Sequence, residues 1–161
     1  MALSADEIAT RLAAVRERIE RACQRAARNP ADVRLIAVSK RHDVAAIRAA
    51  YAAGQRDFGE NYVQELVHKA DALADLPDLR FRLIGRLQRN KVKDIVRVHA
   101  SVDTVDSVKL VEALAERVQI DGHPLDVLVQ VNIGEEPQKA GVMPAQLAEL
   151  VAAVRAKPVL V

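Results

Sequence analysis

Residues 125–133 read LDVLVQVNI, and this stretch indicates which class of fold the chain adopts. Most of its apolar side chains fall at neighbouring positions, whereas a strand with one face in water alternates apolar and polar residues. Parallel strands that are covered on both faces have this nearly continuous apolar character. The stretch therefore predicts a parallel sheet. Asn132 stands near its end, and we expect a ligand or a neighbouring loop to bond this amide, because an unbonded buried amide costs stability.

Short apolar runs and helix-like segments alternate on either side of this stretch. Ser4 and Glu7 form a capping box for a first helix, which ends at RNPAD (28–32). The predicted strands are 33–39, 56–61, 79–85, 98–104 and 125–133, the predicted helices are 43–54, 62–73, 90–98, 107–119 and 144–156, and KPVLV (157–161) begins another apolar run. Alternating βα units predict either an open doubly wound sheet or a (β/α)8 barrel, and the pattern leaves both open.

Composition limits the classes of function. The chain has 161 residues, which fits one domain spanning 1–161, and 50% of them are apolar. The net charge of +2 is too small to indicate a nucleic-acid or membrane partner. The single cysteine, Cys23, is expected to be a small buried hydrophobic residue, and the four histidines are too scattered in sequence to predict a metal site. The helix-like start (1–18) is no signal peptide, and we expect a cytoplasmic protein with no membrane span.

Polar residues collect where the predicted strands end, which is where parallel α/β folds bind ligands. They are Ser39, Lys40, His42, Gly59, Glu60, Asn61, Gly85, Arg86, Gln88, Asp103, Thr104, Asn132, Gly134, Glu135, Glu136, Lys139 and Gly141. A partly desolvated lysine at such a place offers a nucleophilic amine that can form a Schiff base with an aldehyde, although most lysines are solvated. From spacing alone, Asn61 is better explained as a helix N-cap, and Gly59 and Gly85 as turn glycines.

The stretch RFRLIGRLQRNKVKDIVR (80–97) is rich in arginine and lysine, with Asp94 as its one acidic residue. Arg89, Lys93 and Arg97 share one helix face by their spacing of four. A phosphate site or a nucleic-acid surface is one interpretation. A solvated helix face is the favoured one, because Phe81 is the only aromatic residue available to stack on bases.

Five motifs then resemble one known family, the pyridoxal phosphate homeostasis proteins. These motifs are IAVSK (36–40), DFGENYVQE (57–65), RLIGRLQRNK (82–91), VDTVDS (102–107) and VLVQVNIGEEPQKAGV (127–142), and they come in the family order. The resemblance implies a (β/α)8 barrel similar to the N-terminal domain of alanine racemase. It also implies that the cofactor pyridoxal 5'-phosphate is held as a Schiff base on Lys40, with Asn61 beside it and with Gly85 and Asn132 lining the mouth of the barrel.

The function implied by the resemblance is homeostasis of pyridoxal phosphate (vitamin B6), with PLP-dependent apo-enzymes as candidate recipients of the cofactor. No catalytic residue is assigned. The alternative is a PLP-dependent amino-acid racemase or decarboxylase of the same fold, which would need a second acid/base residue and a further domain. A nucleic-acid-binding module ranks last, because it rests on the basic stretch alone.

Two departures from the family pattern stand out. Arg82 occupies a position where the family often has histidine, so any role of that histidine is in doubt here. The second departure is length, because a barrel needs eight strands and this chain supplies the first helix, about five βα units and the start of a sixth strand. We therefore expect an incomplete barrel, truncated at its C-terminal end, that binds pyridoxal phosphate weakly or not at all by itself.

Overall fold

A computed structural model describes residues 3–161; residues 1–2 of the predicted helix-like start lie outside the described residues. The strands are β1 (Ile36–Val38), β2 (Asp57–Glu60), β3 (Arg80–Leu83), β4 (Ser101–Val105) and β5 (Val127–Val129). The helices are α1 (Ala5–Arg25), α2 (Val44–Ala52), α3 (Val63–Ala72), α4 (Val92–Arg97), α5 (Val108–Asp121) and α6 (Leu147–Arg155). Short 3₁₀ turns lie at Pro30–Asp32, Arg89–Lys91 and Pro144–Gln146. The predicted α/β class is confirmed.

The order of the strands decides between the two architectures that the sequence leaves open. All pairs are parallel, and the strands lie side by side in chain order, β1-β2-β3-β4-β5. A doubly wound sheet reverses its order at a switch point, whereas a (β/α)8 barrel adds each strand beside the last. The final residues extend the same order, because Leu160 forms a parallel bridge with Leu125 beside β5. The described residues therefore form part of a barrel.

One face of the sheet packs against the helices. Phe58 and Phe81 lie opposite each other in the register of β2 and β3, with ring centroids 6.3 Å apart. Leu66 of α3 and Ile95 of α4 are fully buried in the same apolar cluster. Burial of one large aliphatic side chain contributes about 1.5–3 kcal/mol, so this apolar layer contributes substantially to the stability of the fold.

The opposite face of the sheet, the inner face of the barrel, is more polar. Val38, Gly59, Arg82 and Ser101 lie side by side on it in the register of β1–β4. Arg82 is buried and bonds Asp103 of β4 through its Nε and Nη2, the latter at 2.6 Å from Oδ1. Arg82 is thus held by a carboxylate of the neighbouring strand.

The first helix packs against α2. Ser4 Oγ accepts the Glu7 amide proton and the Glu7 carboxylate accepts that of Ser4, so the predicted capping box is confirmed. Arg16 reaches across to donate to the Ala53 carbonyl beyond the end of α2, at 2.6 Å. Cys23 is buried, which confirms its predicted role as a small hydrophobic residue.

Several predicted boundaries are wrong. The longest predicted strand, 125–133, is only Val127–Val129, because the chain beyond it folds back and Val142 bridges Val131. Gly59 and Glu60 end β2, and Asp103 and Thr104 belong to β4, rather than following those strands. Helix α4 begins at Val92 and is preceded by a 3₁₀ turn that contains Arg89, so Arg89, Lys93 and Arg97 do not share one helix face.

The basic stretch is largely paired with acidic groups from other elements. Arg80 binds Asp57, and Arg97 forms two bonds of 2.9 Å with Asp71. These pairs link neighbouring units of the fold, as Arg82 does through Asp103. Among residues 3–161, no helix combines the length and hydropathy needed to cross a bilayer.

Candidate functional site

The predicted site residues all lie at the edge of the sheet where the strands end. Lys40 follows β1 by two residues, Asn61 follows β2 directly, Gly85 follows β3 by two residues and Asn132 follows β5 by three. Because the strands are parallel, their carboxyl ends share one edge. Asn61 and Gly85 are in contact, Lys40 lies on the neighbouring strand end, and β4 separates Asn132 from Gly85.

The Lys40 side chain is exposed, while its backbone is firmly anchored. The preceding residue, Ser39, is buried and its amide donates to the Gly59 carbonyl at 2.9 Å, which continues the β1–β2 pairing. The following residue, Arg41, adopts a left-handed φ of 64° and its amide donates to Glu65 Oε1 at 2.7 Å. A lysine at a strand end can be partly desolvated, but residues 3–161 leave the Lys40 side chain exposed to solvent.

A buried polar cluster lies directly behind this lysine, on the helix side of the sheet. We call it the Lys69 cluster; it consists of Ser39, Glu60, Glu65 and Lys69. Lys69 Nζ donates to the Ser39 carbonyl at 2.8 Å and to one carboxylate oxygen of each glutamate at 2.7 Å. Ser39 Oγ donates to the same Glu60 oxygen at 2.6 Å. The ammonium thereby makes three bonds and ties the end of β1 to β2 and α3.

The charges of the Lys69 cluster are unevenly satisfied. The hydrogen bond from Lys69 lowers the pKa of Glu65, and the amide of Arg41 assists it. Glu60 is fully buried, and its second oxygen, Oε2, has no hydrogen-bond partner among the described residues. A buried carboxylate without a neighbouring cation raises the free energy of the folded state, and the Lys69 ammonium offsets this penalty for Glu60.

Asn61 and Gly85 meet through their backbones. A Cβ atom added to Gly85 would lie 2.0 Å from the Asn61 carbonyl oxygen, so only glycine allows this approach. The Gly85 carbonyl in turn accepts a hydrogen bond from Thr104 Oγ1 at 2.8 Å. The interpretation of Asn61 as the N-cap of α3 is wrong, because the N-cap is Tyr62. The Asn61 side chain is thus not committed to capping that helix.

Asn132 is satisfied by the loop that follows it, which is one of the two outcomes its sequence predicts. Its side-chain nitrogen donates to the Glu136 carbonyl at 2.8 Å, and its side-chain oxygen accepts the Glu136 amide proton at 3.3 Å. Gly141, with φ 122°, allows the returning chain to pass the Asn132 backbone, where a Cβ would lie 2.6 Å from the Asn132 nitrogen. Asn132 therefore shapes the loop 132–142 at the site edge.

The role of Lys69 is not predictable from its sequence neighbours. Its place in helix 62–73 predicts only an i,i+4 pair with Glu65, which is common on exposed helix faces. The missing information is the register that turns Glu60 toward α3. A strand that ends in a glutamate, followed by a helix with Glu and Lys four residues apart, is the signal that could have indicated the cluster.

The chain matches a known protein family over most of its length. The family model described as alanine racemase, N-terminal domain, matches residues 10–161. A curated protein from Pseudomonas aeruginosa, named pyridoxal phosphate homeostasis protein, is 45% identical over 151 residues, which cover 94% of this chain and 65% of that protein. The chain thus spans just under two thirds of that relative's length.

Solved structures show the same fold. PipY from Synechococcus elongatus, with PLP bound, superposes with a TM-score of 0.80 at 40% identity, covering 95% of this chain and 66% of that one. Histidine racemase from Leuconostoc mesenteroides gives a TM-score of 0.72 at 18% identity, covering 99% of this chain and 40% of that one. At that identity the second likeness concerns the fold alone.

Proposed function

This chain belongs to the alanine racemase N-terminal domain family, with relatives named pyridoxal phosphate homeostasis proteins, and from that membership we propose that it binds pyridoxal 5'-phosphate through Lys40. The observation that carries the proposal is the exposed Lys40 side chain on a backbone held by the Lys69 cluster. When bound, the cofactor supplies an aldehyde, with which a lysine amine condenses to a Schiff base and releases water.

The surrounding residues suit this role. The cluster leaves the Lys40 amine free to meet the cofactor while Ser39 and Arg41, on either side of it, are fixed by hydrogen bonds. Such pre-organisation lowers the entropic cost of binding. Asn61 and Gly85 form the wall next to Lys40, and Asn132 orders the loop on the far side of β4. We propose these three as the residues that line the cofactor.

We further propose that the protein holds and releases the cofactor rather than turning over a substrate. Its relatives are named for homeostasis, and the likeness to a racemase extends to the fold alone. PLP-dependent apo-enzymes are the proposed recipients of the released cofactor. Incubating the cofactor-loaded chain with L-alanine tests the racemase alternative, and D-alanine formation at enzyme-like rates would support that alternative instead.

Titration with pyridoxal phosphate, followed by the Schiff-base absorbance, tests the binding site. We expect a band that is lost in Lys40→Ala and kept in the matched control Lys93→Ala, because Lys93 is an exposed lysine of α4. A band insensitive to Lys40→Ala would refute the site.

A further inference from the structure

Two histidines and an aspartate meet at the end of the sheet opposite Lys40. His99 lies in the connection from α4 to β4, Asp121 is the last residue of α5, and His123 lies in the connection from α5 to β5. These connections lead into the amino ends of β4 and β5. His99 and His123 are far apart in the sequence, where the histidines look scattered, but the fold brings them together.

The geometry of the three side chains is close to that of a metal site. Asp121 Oδ2 is 3.5 Å from His99 Nδ1 and 3.4 Å from His123 Nδ1, and all the ligand atoms lie within 4.8 Å of one another. Tetrahedral zinc with bonds of about 2.0–2.1 Å separates neighbouring ligand atoms by about 3.4 Å. Two of the three separations already match, and the histidine side chains are exposed enough to rotate and close the third.

The aspartate oxygen between the imidazoles has no other means of satisfaction. Asp121 Oδ2 is buried and has no hydrogen-bond partner within the described part of the chain. Its distances to the two nitrogens exceed the roughly 2.7–2.9 Å of a charge-assisted hydrogen bond. A cation bound among the three groups would give this oxygen a partner.

The backbone presents these ligands at a place that favours a cation. Gly122 adopts φ 83° and ends the fourteen-residue α5, so the chain turns between Asp121 and His123. The C-terminal end of a helix carries partial negative charge from its free carbonyls and attracts cations. His99 also has a left-handed φ of 51°, a conformation that persists only where its surroundings hold it.

We infer that His99, Asp121 and His123 bind one zinc ion through two imidazole nitrogens and one carboxylate oxygen. Imidazole and carboxylate are ligands that zinc accepts, and water completes the coordination. The ion links the α4–β4 connection to the α5–β5 connection and so fixes two neighbouring units of the barrel. It lies at the opposite end of the strands from Lys40, and its role is structural and independent of cofactor binding.

Calorimetric titration of the EDTA-treated chain with zinc chloride tests this inference. We expect one zinc ion per chain, with affinity at least about tenfold weaker in His123→Gln and in His99→Gln, because loss of a ligand costs no less than the roughly 10–100-fold that loss of an outer-shell partner costs. The matched control is His68→Gln, which alters an exposed histidine of α3 that is not one of the three clustered groups; we expect this variant to bind zinc like the unaltered chain.

Imidazole ¹⁵N resonances of the unaltered chain give a second measurement that needs no variant. Zinc should shift the Nδ1 resonances of His99 and His123 and leave those of His42 and His68 unchanged. The inference fails if no zinc binds, if His123→Gln binds it as tightly as the His68→Gln control, or if the resonances of all four histidines shift alike.

Discussion

Replacing Lys69 with methionine removes the one cation that the Lys69 cluster contains and keeps a side chain of similar length. The Lys69 side chain is 4% exposed and that of Glu60 is fully buried, so water cannot replace the lost ammonium. The substitution leaves the Glu60 carboxylate with the Ser39 hydroxyl as its one hydrogen-bond partner among the described residues. It also takes the 2.8 Å bond away from the Ser39 carbonyl, directly before Lys40.

The expected loss of stability follows from these contacts. Breaking a buried ion pair by removing one partner costs about 3–5 kcal/mol, because an uncompensated charge remains. A domain of this size has a total stability of about 5–15 kcal/mol, so the variant should be folded but close to its limit. The 2.7 Å bond to Glu65 adds less, because that carboxylate is partly exposed and water can reach it.

Urea unfolding followed by circular dichroism measures this loss. The matched control is Lys91→Met, whose pair with Asp94 has a separation of 4.0 Å with both side chains about one third exposed. Such a pair contributes about 0–1 kcal/mol, and we expect the control to fall in that range.

A second variant separates the orphaned charge from the lost packing. Adding Glu60→Gln to Lys69→Met removes the unpaired carboxylate, so the double variant should be more stable than the sum of the two single effects predicts. Two results would contradict this explanation. One is a free energy of unfolding for Lys69→Met within about 1 kcal/mol of that of the unaltered chain. The other is a double variant whose loss of stability equals the sum of the losses in Lys69→Met and Glu60→Gln.

Two further predictions concern stability. Gly85→Ala should cost at least about 3 kcal/mol, since the new Cβ meets the Asn61 backbone. Gly134→Ala should cost under about 0.5 kcal/mol, because its new Cβ meets only side-chain atoms of Glu136. Equal urea midpoints for the two variants would contradict this. Burial raises the pKa of Asp57, but its bonds to Arg80 outweigh this and hold the pKa below its usual value, and Lys69 lowers that of Glu65. Both carboxyl groups have a higher pKa in the unfolded chain than in the folded one, so as the pH falls the unfolded chain binds protons before the folded chain does. The urea midpoint should therefore stay constant above about pH 5 and fall below about pH 4, and Asp57→Asn should reduce that fall. A midpoint that holds steady down to pH 3 would show that these pairs contribute nothing.

The order of strands and helices is predicted well, because the residues that mark each βα unit lie close together in the sequence. Apolar runs, the capping box at Ser4 and the left-handed Gly54 after α2 all depend on neighbours in the chain. The strand at 125–133 is shorter than predicted because Val142 returns to pair with Val131, a contact that local patterning cannot reveal. The choice between barrel and doubly wound sheet likewise depends on which strands are neighbours.

The candidate site likewise contains residues that the sequence predicts and residues that it does not. The four predicted residues stand at one sheet edge because strand ends can be read from the sequence. Glu60 and Lys69, by contrast, meet only because the register of β2 turns Glu60 toward α3. The same holds for His99 and His123, which come together through the packing of two connections, and for Arg82, whose partner Asp103 lies on the next strand.

Reduction with borohydride, after the unaltered chain has been mixed with pyridoxal phosphate, shows directly whether Lys40 holds the cofactor. The reductant converts a Schiff base into a stable secondary amine, so even weakly held cofactor is recorded on the lysine that bound it, and peptide mass spectrometry locates it. We predict that Lys40 carries most of the adduct and that the exposed Lys93 and Lys139 carry little. An even distribution over the exposed lysines, or an adduct concentrated on a lysine other than Lys40, would contradict it.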